Sequence, residues 1–213
     1  MKFFKKIFSK RFFENDIAVA MVCAIIFTIF ATLAGFEAGC NELRGNVLRL
    51  HILANSNSEA DQAVKLEVRD AVQEASATIF ENAKSKDDAL NLAKENVNLF
   101  KSAAEQKLKE LGVSQSVTVK VEKTYFNTRE YENFTLPAGQ YDAVRILLGN
   151  AEGKNWWCVM FPSMCLPAAA DEHSLTEAVD ENAAEIAENA TKYEIRFKIV
   201  EWYESIKNWF AGA

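Results

Sequence analysis

Glycine, proline, histidine and cysteine are all scarce in this 213-residue chain, and each scarcity closes off a class of structure or chemistry. Eight Gly and three Pro leave no room for a long flexible linker. There is no internal repeat, no Gly-rich phosphate loop and no Gly-x-Ser-x-Gly elbow, so solenoid, nucleotide-cradling and common serine-hydrolase readings lack their signatures. The two His, His51 and His173, are far apart and cannot complete a four-ligand zinc site with the available Cys. His51 has no nucleophile or carboxylate fixed near it by spacing, and His173 beside Asp171 and Glu172 reads as part of a solvated linker. No catalytic residue, metal ligand or cofactor is therefore assigned, and an enzyme is not expected.

What the chain has instead is an apolar run. Ile17 to Phe36 holds twenty residues without a charge, about 30 Å of helix, which matches the thickness of a hydrocarbon core. Five basic residues, Lys2, Lys5, Lys6, Lys10 and Arg11, precede it, whereas Glu37 and Glu42 follow. The bias keeps residues 1–16 cytoplasmic and exports what comes after. Thr32-Leu33-Ala34 offers small residues suited to cleavage, so residues 17–36 read as an anchor or a signal segment. Glu37-Ala38-Gly39-Cys40 is a poor lipidation box, because Glu37 stands where an aliphatic residue belongs. From Asn41 onward, 19 Lys and Arg face 27 Asp and Glu, a net charge of −8. That balance disfavours nucleic acid and anionic lipid as partners, and favours a protein.

Beyond a linker at 37–46, the pattern predicts an α+β domain over 47–170. Val47 to Ala54 reads as a strand burying Leu48, Leu50, Ile52 and Ala54, with Arg49 and His51 sharing an exposed opposite face. Asn55-Ser56-Asn57-Ser58 is a turn, and Ser56 with Glu59, or Ser58 with Asp61, caps a helix carrying Val64, Val68, Val72 and Ile79 on one stripe. A second long helix is predicted from Ser85 to Leu111, ending at Gly112. Arg69 and Asp70, adjacent in sequence, are not expected to pair as a helical salt bridge. After Val117 the period changes to two, giving a strand to Tyr125; Tyr141 to Leu148 is another, and Gly149 to Lys154 is read as a hairpin loop into the next. These elements make a mostly antiparallel sheet on two long helices. In residues 171–213 the prediction is a helix capped by Ser174 and Glu177, a strand over Tyr193–Ile199 and a short aromatic helix, a helix-strand-helix tail.

Asn155-Trp156-Trp157-Cys158 through Cys165 is the densest motif. Cys158 and Cys165, separated by six residues across Pro162, are expected to close a disulfide in an oxidising compartment. Cys40 is left either as a thiol or for pairing between chains. Trp156 and Trp157 point to opposite faces of a strand, one to the core and one toward a candidate recognition surface.

Several of these stretches, Val47 to Gln62, Val68-Arg69-Asp70-Ala71-Val72, Leu136-Pro137-Ala138-Gly139-Gln140-Tyr141 and Asn155 to Cys165, resemble the stage II sporulation protein R family. The similarity covers about Val47 to Cys165 and touches Tyr193 to Phe210. Asn57 departs from the usual Asp, a change that the turn tolerates. The resemblance implies an exported signal of endospore-forming bacteria, made in the forespore, with its main domain between forespore and mother cell. Its partner would be a membrane-embedded receptor protease of the mother cell that processes the sigma-E precursor. No small-molecule substrate is implied. Arg49, His51, Asn55, Trp156 and Trp157 are the expected partner contacts. A cell-wall hydrolase and a structural septal anchor are the rival readings, since carboxylates are too common to exclude by spacing.

Overall fold

A computed structural model describes residues 10–80, 83–131, 133–162 and 178–211, with side chains from residue 16. Helix α1 runs Lys10–Asn46, and the chain divides into two compact units after Gly39. In the first unit, apolar side chains from Ile17 to Phe30 face outward all round, with Ile25, Phe27 and Phe30 at 60, 74 and 73% exposure. The portion from Asp16 is long and apolar enough to cross a membrane. The stretch expected to be a linker, 37–46, is helical. Its last turns belong to the second unit, where Cys40 and Leu43 are fully buried.

The second unit is built on strands β1 (Leu48–Leu53), β2 (Val117–Phe126), β5 (Gly139–Leu148) and β6 (Asn155–Phe161). They form one sheet in the order β2-β5-β1-β6. A separate two-stranded ribbon joins β3 (Arg129–Glu130) to β4 (Thr135–Leu136). β5 pairs antiparallel to β2 and parallel to β1, and β1 pairs antiparallel to β6. The predicted hairpin through Gly149 to Lys154 is thus corrected: β5 and β6 lie on either side of β1. Local pattern reads strand and turn, but nothing in it encodes a third strand taken from 94 residues earlier.

One face of the sheet packs on helices α2 (Glu59–Phe80), α3 (Lys86–Glu95) and α4 (Val97–Glu110). Leu48, Leu50, Ile52, Val144, Ile146 and Leu148 meet Val68, Val72, Phe80, Phe100 and Ala104 there. The caps are those predicted from Ser58, which accepts the Asp61 N–H at 3.2 Å, and from Ser85, which accepts that of Asp88 at 3.1 Å. The single helix expected to Leu111 breaks at Asn96, whose backbone leaves helical geometry (φ −106°, ψ 20°) while its side chain donates to Leu92 O. At the start of α3, Lys86 binds Asp142 of β5 at 2.8 Å, tying helix to sheet. Arg69 and Asp70 do pair, at 2.7 Å, contrary to the sequence expectation. Adjacent side chains point apart at Cβ, but the Arg stem is long enough to fold back.

The tail also differs from expectation. After α5 (Glu181–Glu188), a 3₁₀ turn over Ala190–Tyr193 leads directly into α6 (Glu194–Ala211), so the predicted strand over Tyr193–Ile199 is helical. Burial of Phe197 and Val200 explains the outcome. Three residues apart, they share a helix face, whereas a strand would send them to opposite sides. Asp180 caps α5 by accepting the Ala183 N–H at 2.7 Å; the Ser174–Glu177 box and His173 lie outside the described residues.

Candidate functional site

The sheet face turned away from α2–α4 is the polar one, and it is covered. Arg49 is fully buried and His51 is 6% exposed, which corrects the expectation that both point to solvent. The alternation was read properly, since both side chains do leave the apolar face. A second layer then closes over them.

The Arg49 guanidinium lies 4.0 Å from the centre of the Phe126 ring and 4.8 Å from that of Tyr141. Its Nη2 donates to the Tyr131 hydroxyl at 2.6 Å, while Nε and Nη1 have no hydrogen-bond partner among the described residues. Tyr141 donates to Pro137 O at 2.6 Å, and burial pushes its phenol upward in pKa. Among the described residues, no carboxylate answers the charge of Arg49; aromatic faces do.

Two residues along β1, His51 stacks on Trp157 of β6, with ring centres 6.0 Å apart, and meets the edge of Phe126. Nε2 of His51 is 2.9 Å from Asn155 Oδ1, and Arg145 Nε donates to Nδ1 at 3.3 Å. Arg145 is itself paired with Glu122. These contacts require neutral imidazole, protonated on Nε2. Burial is the largest cause of a pKa lowered to about 4; the Asn155 hydrogen bond opposes it, and Arg145 and Arg49 reinforce it. A nuclear magnetic resonance titration of His51 is expected to give a midpoint near 4 rather than the ordinary 6.5. Below pH 6.5 the unfolded chain binds more protons than the folded one, so this residue's contribution to stability falls between 6.5 and 4 and levels off beneath. A midpoint near 6.5 would place the ring in solvent.

Trp157 reaches solvent together with Arg129, whose guanidinium lies 3.4 Å from the Trp157 ring centre. Both are half-buried. Trp156, on the opposite face as expected, packs against the helical core with Arg69 over its ring at 4.5 Å. Behind Tyr131 a cavity of about 520 Å³ opens between the β3–β4 ribbon and α5–α6, with Glu130, Glu194, Glu201, Phe134 and Phe197 in its walls. Sequence reasoning missed Phe126, Arg129, Tyr131, Tyr141 and Arg145. The available signal was Arg145, a charge flanked by Ala143, Val144, Ile146 and Leu147 in its strand, which the sheet register sets opposite His51.

Asn55 has a different task. Its Oδ1 accepts the Asn150 N–H at 3.0 Å, and its Nδ2 donates to Asp61 at 2.9 Å. Gly149 has φ +55°, and a Cβ there would collide with the Asn55 side chain. Asp61 also accepts Ser56 Oγ and Gln115 Nε2, and these hydrogen bonds, that from Ser56 first, hold its carboxyl below the ordinary range. The turn is a clasp between α2 and the loop joining β5 to β6. At the other end of β5, Gly139 (φ +144°) leaves room for Arg44, which is buried and donates to Ala138 O at 2.7 Å. Among the described residues, no group of three or more His, Cys, Asp or Glu is placed to hold a metal ion.

Residues 44–171 match the family model described as stage II sporulation protein R. The chain belongs to that family. Stage II sporulation protein R of Bacillus subtilis (strain 168) is 33% identical over 180 residues, covering 75% of this chain and 80% of that protein. No solved structure gives a significant match. The matched range holds the residues that build the sheet centre, the Asn55–Asp61 clasp and the Trp-bearing strand, and membership gives the chain a role in sporulation.

Proposed function

We propose that this chain is an exported signal that activates a membrane-embedded protease in the mother cell and so triggers processing of the sigma-E precursor. Family membership supports the reading, as does an apolar helix followed by a compact acidic unit. The observation that carries it is the Trp157–Arg129 pair, half-exposed and backed by the buried His51 ring. Trp and Arg are the residue types that dominate binding energy at interfaces, most of all when packing has already fixed their rotamers. A ligand activates a receptor only by preferring its active form, so the pair needs to fit that form better than the inactive one. It replaces Arg49, His51 and Asn55 as the expected contact.

The test is precursor processing in cells that express receptor, precursor and graded amounts of this chain. Arg129→Ala is expected to raise the half-maximal dose roughly ten-fold or more, with an unchanged melting temperature. Trp157→Phe should have a smaller effect in the same direction. Normal response from both variants would remove the contact from this surface; processing that continues without the chain would remove the function itself.

A further inference from the structure

Helix α6 has two apolar faces, and among the described residues only one of them is packed by the fold. Phe197, Val200 and Glu204 are buried. On the other side, Ile195, Ile199, Trp202, Ile206 and Trp209 are exposed by 77, 42, 70, 39 and 69%. At about 100° per residue these five fall within roughly 80° of one another, nearly opposite the buried face. Tyr203 and Phe210, 55 and 67% exposed, widen the stripe on one side. Charged residues occupy the flanks between the two faces. The exposed area is on the order of 700 Å², above the few hundred usual for the largest apolar patch of a monomer.

We propose that this face is a membrane-surface helix, seated in the interface of the bilayer that α1 enters. Chain continuity supplies the first argument: the apolar run ends at Phe36 and the second unit begins at Cys40. Four extended residues reach at most about 14 Å, so while the run remains in the bilayer, the domain works at its surface. Residue type supplies the second. Two Trp and a Tyr are the side chains enriched at the membrane–water boundary, where a large ring with one polar atom is half solvated. A second copy of α6 is the rival occupant, because the steps of four and three suit a coiled-coil seam. The seam lasts only two heptads, however, and places Trp where a two-stranded coil takes Leu.

Charge decides the lipid class. Arg196, Lys198 and Lys207 are balanced by Glu194, Glu201 and Glu204, and the chain from Asn41 carries −8. Attachment therefore comes from apolar area rather than from attraction to anionic headgroups, unlike that of basic amphipathic helices. The family model stops at residue 171, so it does not extend to α6.

The experiment reconstitutes the full chain into phosphatidylcholine vesicles whose acyl chains are brominated near the headgroup end, and measures tryptophan emission. The chain has four Trp, of which Trp156 and Trp157 belong to the sheet. Bromination is expected to quench about half of the native emission and little of that from the Trp202→Phe/Trp209→Phe variant, which keeps the apolar face. Replacing a third of the lipid by phosphatidylglycerol should leave quenching unchanged. Equal quenching in native and variant chains, or quenching that requires phosphatidylglycerol, overturns the proposal. So does an unquenched chain that cross-links through α6 to a second copy.

Discussion

Arg49→Ala is expected to lower the unfolding free energy by about 3 kcal/mol, the size of a large-to-small change in a closed core. The fully buried side chain fills a box made by Phe126, Tyr131 and Tyr141. Its removal leaves a cavity and strands the Tyr131 hydroxyl that accepts its Nη2. Arg49→Met should behave differently, within about 1 kcal/mol of the native chain or above it, because volume is kept while a buried charge is removed. Each favourable ring contact is worth roughly 0.5–2 kcal/mol and the charged hydrogen bond about 1.5–3. Desolvating a guanidinium costs several, and two of its nitrogens recover nothing. The opposing contributions nearly cancel, so shape outweighs charge at this position. Urea unfolding of both variants beside the precursor-processing assay checks it: an Arg49→Ala chain with native stability and no signal would make this residue a contact instead.

The second large effect belongs to Cys158 and Cys165. Reduction, or Cys165→Ser, is expected to cost about 2.5 kcal/mol, the chain-entropy value for a loop of about eight residues. Cys158 is buried on β6 opposite Leu50, and Gln73 donates to its Sγ at 3.2 Å; Cys165 lies outside the described residues. Alkylation of the full chain purified without reductant, followed by mass spectrometry, reads the pairing directly. Labelling of both thiols before unfolding would sink the disulfide. Cys40 provides a control: it is wholly buried, which removes the option of pairing between chains while the domain stays folded, so it should be labelled only on unfolding.

Much of the core was legible because it follows single-segment periodicities. Leu48, Leu50 and Ile52 at every second position, and Val68 and Val72 at helical steps, are fully buried as read. Capping by Ser58 and Ser85 was legible for the same reason, since a cap is a contact over three residues. The site was harder, because its burial depends on segments with no period of their own. Arg49 looked exposed since half of a strand's side chains normally are, and nothing local announced that Phe126, Tyr131 and Tyr141 would close over it. Asn55 stood out as polar and central to the motif, yet its work is to hold the loop after β5. Over Tyr193–Ile199 two periods competed across seven residues, and the longer helical one, continuing to Phe210, prevailed.

The position of β1 in the sheet also has a consequence for timing. The first strand of the sheet finds both neighbours much later in the chain, with His51 facing Arg145 on one side and Trp157 on the other. Until residues through Leu147 have been made, β1 has no partner, and its second partner is complete only at Phe161, so the helices that follow β1 wait for a finished surface to cover. Pairings of such long range make folding slow and keep partial chains from settling early. A chain cut short before Phe161 therefore presents no finished sheet, and the buried cluster around Arg49 and His51 has nothing to close it.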